Sequence, residues 1–144
     1  MREIICKGQR VDTEEWVEGY YCRENCEHPF SRNMVEKPYI IQKGTGIWFE
    51  VIPETVGQYT GLRDKNRKRI FEGDIIRDSH GFIWLVVFEN NAFAVKNHLM
   101  ELYFALWEQW EYDLESKEWD SPSDRFKVIG NIHDNPELLG GDKE

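Results

Sequence analysis

Residues 82–89 read Phe82-Ile83-Trp84-Leu85-Val86-Val87-Phe88-Glu89, and this run decides the fold class. Aromatic and β-branched side chains fill it, no Gly or Pro interrupts it, and eight residues is the length of a strand. Turn signals bound it: Asp78–Gly81 before it and Asn90-Asn91 after it, the latter a short hairpin connection into Ala92–Lys96. Upstream, Glu72-Gly73-Asp74 makes another tight turn, and Ile75-Ile76 starts a strand. Strand, turn, strand, turn, strand within about 25 residues is the cadence of a small antiparallel barrel or curled sheet. The expectation is a mainly β protein with a barrel-like, SH3-like sheet in its second half.

Working outward, Trp16–Tyr21 has strand-forming residues, with Gly19 as a bulge or point of close approach. Glu24–Lys37 mixes Asn, Pro, Ser and charge, and reads as a loop. Pro38–Gln42 and Gly46–Ile52 form a strand pair joined by Lys43-Gly44-Thr45, with Ile47, Phe49 and Val51 alternating on one face. Downstream, Leu99, Met100, Leu102, Tyr103, Leu106, Trp107 and Trp110 recur at helical spacing, with Asn97 as N-cap, and predict one short helix. The same apolar positions also suit an added strand. Residues 111–124 read as an acidic loop, Phe126–Ile132 as a closing strand, and Asn135-Pro136 as its stop before Leu138-Leu139 docks. The expected organisation is an N-terminal β region over 1–54, a β-rich core over 55–139 and a frayed tail over 140–144.

The 144 residues suffice for a real core, and 40% hydrophobic with 14% aromatic content is that of a folded chain. No apolar run reaches the ~18 residues that span a bilayer. Met1–Arg10 carries Arg2, Glu3 and Lys7 and lacks an apolar secretory segment, so a cytoplasmic location is expected. Three cysteines, an odd number, fit reduced thiols. The net charge of −9 is uneven. Residues 1–56 hold seven basic and ten acidic side chains, 57–76 five and three, and 77–144 six and fourteen. Broad nucleic-acid binding is therefore disfavoured, because phosphates meet like charge over most of the surface, while a local basic site stays open.

Three stretches are long and specific. They are Gly57-Gln58-Tyr59-Thr60-Gly61-Leu62, Ile70-Phe71-Glu72-Gly73-Asp74-Ile75-Ile76, and Val128-Ile129-Gly130-Asn131-Ile132-His133-Asp134-Asn135-Pro136-Glu137-Leu138-Leu139. Together they resemble the YopX-like proteins of bacteriophages and prophages, closely over Thr55–Leu139 and loosely over the first 54 residues. One departure stands out: the family turn usually reads Asp-Lys-Asn-Gly-Lys, and here it is Asp64-Lys65-Asn66-Arg67-Lys68. Asn66, tolerant of positive φ, is expected at the tip, and Arg67 at the Gly position implies another turn geometry. The resemblance implies a phage or prophage protein of a bacterial host and carries no catalytic residues.

Four groups of residues offer chemistry. Cys22, Cys26 and His28, with Cys6 as a fourth ligand, have zinc-binding atom types at poor spacing, and buried or surface thiols are the simpler reading. Arg63, Lys65, Arg67, Lys68 and Arg69 could grip a phosphate backbone beside Tyr59 or Phe71; a solvated, charged turn is the alternative. Glu72 and Asp74 flank Gly73, with His80 and His133 available as bases, but acid–base work needs a pocket that separates their pKa values. Trp107, Trp110 and Trp119 stand among acids that include Glu108, Glu111, Asp113, Glu115, Glu118 and Asp120, which suits a protein partner as well as a plain folded segment. The sequence thus favours a non-catalytic accessory module without cofactor. It would bind a host or phage protein and could be a homo-oligomer; a nucleic-acid module is the rival and an enzyme comes third.

Overall fold

A computed structural model of the chain describes residues 4–27, 34–97, 99, 102–106, 111–113, 118–120 and 125–140. The chain divides into two compact units, Met1–Tyr59 and Thr60–Glu144.

The first unit is built from β1 (Cys6–Gln9), β2 (Trp16–Glu27), β3 (Met34–Gln42) and β4 (Trp48–Glu50), followed by a 3₁₀ turn, Pro53–Thr55, and by β5 (Gly57–Arg63). Its strands run antiparallel in the order β4-β3-β2-β1-β5. The hairpin around Lys43–Thr45 forms where the sequence placed it. Much of the expected loop over Glu24–Lys37 is strand instead: β2 runs on to Glu27, and β3 begins at Met34. The ladder between them is continuous from Gly19↔Gln42 to Glu27↔Met34, and its backbone pairing outweighs the polar composition of the outer ends.

Alternation divides this sheet into two faces. Val17, Gly19 and Tyr21 share the face of Ile40 and Phe49, and there Val17, Ile40 and Val51 form the core with Cys6 and Val56 packed on it. Each aliphatic side chain buried there contributes about 1.5–3 kcal/mol. Gly19 is fixed by close approach: a Cβ there would overlap the Ile41 carbonyl.

In the second unit, β5 runs on past Tyr59 and is followed by β6 (Arg69–Phe71), its neighbour in the sheet. Thr60 Oγ1 donates to the Ile70 carbonyl at 2.8 Å across this pair. A five-stranded antiparallel sheet comprises β7 (Asp74–Arg77), β8 (Ile83–Glu89), β9 (Ala92–Asn97), β10 (Leu102–Ala105) and β13 (Lys127–Asn131), in the order β10-β9-β8-β7-β13. Ile70, Ile76, Trp84, Val86, Val95, Leu106, Phe126 and Val128 form its core. A separate hairpin joins β11 (Glu111–Asp113) to β12 (Glu118–Asp120), and α1 (Glu137–Gly140) ends the described chain.

Four expectations are corrected here. No closed barrel forms: among the described residues no ladder joins the edge strands β10 and β13. The helix expected from Leu99 onward is strand over Leu102–Ala105, with Leu102↔Asn97 through Ala105↔Ala94 in register; Trp107 and Trp110 lie outside the described residues. Asn97 is not a cap but the last residue of β9, its Nδ2 donating to the Ile83 carbonyl at 3.0 Å. Leu-Tyr-Phe-Ala suits a pleated surface, and Phe104 packs edge-to-face on Trp84 with ring centroids 5.8 Å apart. A short helix lies instead at Glu137–Gly140. The acidic loop over 111–124 contains the β11–β12 hairpin.

Candidate functional site

The cationic stretch 63–69 occupies the turn between β5 and β6, and a buried carboxylate organises it. Asp64 is only 3% exposed. Its Oδ1 accepts the backbone N–H groups of Asn66 and Lys68, both at 2.8 Å, and its Oδ2 accepts the Val128 N–H at 2.9 Å. Backbone bonds close the loop further: Asp64 N–H donates to the Lys68 carbonyl, Arg67 N–H to the Asp64 carbonyl, and Lys65 N–H to the Phe126 carbonyl. The left-handed residue is Arg67, with φ of 66°, and not Asn66 as expected. Arg63 Nη1 donates to the Arg67 carbonyl at 2.9 Å. Arg63, Lys65, Arg67 and Lys68 are exposed, while Arg69 is half-buried at the start of β6.

Asp78 repeats the device two turns later. Its Oδ1 accepts from His80 N–H and Phe82 N–H at 2.9 Å each, and its Oδ2 accepts from Trp84 Nε1–H at 3.0 Å. Asp74, fully buried, accepts the Phe71 N–H at 2.8 Å and so tightens the Glu72-Gly73 turn. These carboxylates therefore spend acceptor capacity on backbone donors of their own turns, and Asp64 also on the buried Val128 N–H. Of the two expected bases, His133 comes to this turn: its Nε2 lies 4.0 Å from where a Gly73 Cβ would stand. His80 belongs to the Asp78 turn, exposed.

The proposed zinc ligands divide. Cys6 pairs with Gly19 on the core face of the first sheet, whereas Cys22, three residues along the unbroken β2, stands on the opposite face. A tetrahedral ion cannot take both, because a sheet backbone separates them. The Cys26 side chain and His28 lie outside the described residues. Burial, and then the charge of Glu24, push the Cys22 thiol pKa up.

Of the three tryptophans expected to face a partner, Trp107 and Trp110 lie outside the described residues. Trp119 is placed by its backbone alone, opposite Tyr112 in the β11–β12 hairpin.

One aromatic surface was missed from the sequence. Tyr20, Ile41 and Trp48 stand directly opposite one another across β2, β3 and β4, on the face away from the first core. Tyr20 is 49% and Trp48 48% exposed, and Tyr39 meets Trp48 edge-on with centroids 5.7 Å apart. The signal lay in the adjacent Tyr20-Tyr21 and in Tyr39-Ile40-Ile41, where consecutive apolar residues must put one on each face. At the edge beside β4, Val11, Asp12, Trp48, Phe49 and Glu50 line a cleft of about 240 Å³. Arg10 lies over the Phe49 ring and donates two bonds to Asp12, at 2.7 and 2.9 Å. These bonds hold the Asp12 carboxyl below the usual aspartate range.

A family model described as YopX protein matches residues 9–140. No curated protein matches the chain.

Proposed function

The chain belongs to the YopX protein family, and from that premise we propose that it is a phage- or prophage-encoded accessory protein acting as a non-catalytic protein-binding module in the bacterial cytoplasm. The observation that carries this reading is the Tyr20–Ile41–Trp48 row. Two large aromatic side chains, each half exposed, flank Ile41 in a line across three strands, and their burial by a partner is strongly favourable. Antiparallel ladders join the three strands beneath, so a partner meets backbone that is already ordered.

The carboxylates support the non-catalytic half of the reading. Asp64, Asp74 and Asp78 each accept backbone N–H donors at a turn, a structural use of acids, and of the three the sequence offered only Asp74 as a candidate for chemistry. Trp107, Trp110 and Trp119 belong to the same reading as further partner-facing residues, and a homo-oligomer through either set is compatible with it.

Affinity capture from phage-infected cells tests the proposal. A defined host or phage protein should be retained by the native chain and lost with Tyr20→Ala plus Trp48→Ala, while Trp110→Ala and Trp119→Ala report on the second set. Capture that none of these substitutions weakens would reject both surfaces.

A further inference from the structure

We infer that the loop from Arg63 to Lys68 is a phosphate-binding site, built to contact the backbone of a nucleic acid. This goes beyond the protein-binding reading and does not depend on it.

Charge is the first ground. Four exposed cations, Arg63, Lys65, Arg67 and Lys68, lie within six residues of a chain whose net charge is −9. Among the described residues, no ion pair involves Lys65, Arg67 or Lys68. The one acid in the loop, Asp64, is buried and turned onto three backbone N–H groups, so it shapes the loop from beneath instead of neutralising it at the surface. At physiological salt, charges more than about 8 Å apart are largely screened, so distant acids of the chain act only weakly on a local cationic tip.

Preorganisation is the second ground. A solvated charged turn needs no fixed shape, yet this one is held by Asp64, by the Lys65–Phe126 backbone bond and by Arg63 reaching the Arg67 carbonyl. Cations on a fixed loop meet phosphates without losing backbone entropy on binding.

Strain is the third. Arg67 sits at φ 66°, a conformation that glycine or asparagine takes far more readily, and Asn66 is next door at an unstrained position. A strained residue that carries a charge, exposed on a loop held by hydrogen bonds, points to a use for that charge. Phosphate is the matching chemistry, because guanidinium offers forked donors and lysine a mobile point charge.

The test is fluorescence anisotropy of the full chain with a labelled oligothymidine strand and a labelled DNA duplex, run beside a phosphoserine peptide. With about three phosphate contacts, raising salt from about 50 to about 200 mM should weaken binding roughly 20-fold for the single strand and 40-fold for the duplex. Arg67→Gly separates charge from folding, since it relieves the strained φ. Binding should weaken, with the salt slope shallower by about one contact, in a protein at least as stable as the native chain. Arg67→Lys should keep the slope, and Lys65→Gln plus Lys68→Gln should remove most of the binding. No DNA retention at low salt, or retention unchanged in Arg67→Gly and in the double variant, would overturn the site. Binding to the phosphopeptide without binding to either DNA would overturn its assignment to nucleic acid.

Discussion

The Asp64 carboxylate and the backbone N–H of Val128, 64 residues apart in sequence, meet at 2.9 Å in the buried interior of the second unit. Asp64 belongs to the charged turn between the first two family stretches and Val128 begins the third, so one side chain ties that turn to the closing strand. Asp64→Ala removes three acceptor bonds and leaves the Val128 N–H buried. Hydrogen bonds to a charged group contribute about 1.5–3 kcal/mol, and an orphaned buried donor costs a similar amount. The expected loss is about 3 kcal/mol in urea unfolding. A loss under about 0.5 kcal/mol, the scale of an ordinary surface substitution, would show that the bond does not hold the strand.

Arg67→Gly should act in the opposite direction. The left-handed conformation costs a non-glycine residue about 1–2 kcal/mol, from which the extra freedom of glycine in the unfolded chain subtracts about 0.4–1. The net expectation is a gain of about 0.5–1 kcal/mol, read from the unfolding midpoint. A destabilised variant would mean that the Arg67 side chain makes contacts worth more than its backbone strain.

The contrast between these two residues shows what was legible in the sequence. Turn positions, most strands and the buried alternation were readable, because they follow from local chemistry: Asn90 and Asn91 both take positive φ, and β8 falls where aromatic and β-branched residues cluster. The family itself was readable from its long motifs. The Asp64–Val128 bond was not, since nothing local says which distant donor a carboxylate will find. Nor was the strand nature of 102–105, because short apolar runs fit both periods until a neighbour such as β9 pairs with them. Tyr20 and Trp48 were missed for a related reason. Their exposure depends on which face of the sheet the core claims, and that is settled by Val17, Ile40 and Val51 together.

Gly19→Ala is expected to be the most damaging single methyl addition in the first unit. The new Cβ would overlap the Ile41 carbonyl, which is backbone and cannot rotate away, so β2 and β3 must separate locally. Overpacking typically costs about 1–3 kcal/mol, and a clash with backbone belongs at or above the top of that range. Amide hydrogen exchange should show lost protection spreading along β2 and β3. Unchanged protection of that ladder would mean that the strands tolerate the shift.

Trp84 and Asp78 should be energetically coupled. The indole Nε1–H donates to Asp78 Oδ2 at 3.0 Å, while Oδ1 holds the turn that leads into Trp84's own strand. Trp84→Phe keeps an aromatic ring in the core and removes the donor. Asp78→Ala removes the acceptor and frees the turn. A double-mutant cycle should give a coupling of about 1.5–3 kcal/mol, the range for bonds to charged groups. Additive losses would indicate that the two residues stabilise the sheet separately.

Cys22 should alkylate more slowly in the folded chain than in the unfolded one at equal pH. Burial, with a smaller contribution from the Glu24 charge, raises its pKa, so fewer molecules carry the reactive thiolate. The direction for stability follows. A folded-state pKa above the unfolded value means that the unfolded chain gives up its proton first as pH rises. This contribution is therefore complete below the unfolded thiol pKa and fades as pH climbs through the folded one. Iodoacetamide labelling followed by mass spectrometry resolves Cys22 from Cys6 and Cys26. Glu24→Gln should speed the Cys22 reaction only slightly, since desolvation dominates. A large acceleration would reverse the ranking of the two causes, and labelling as fast as in the unfolded chain would contradict the raised pKa.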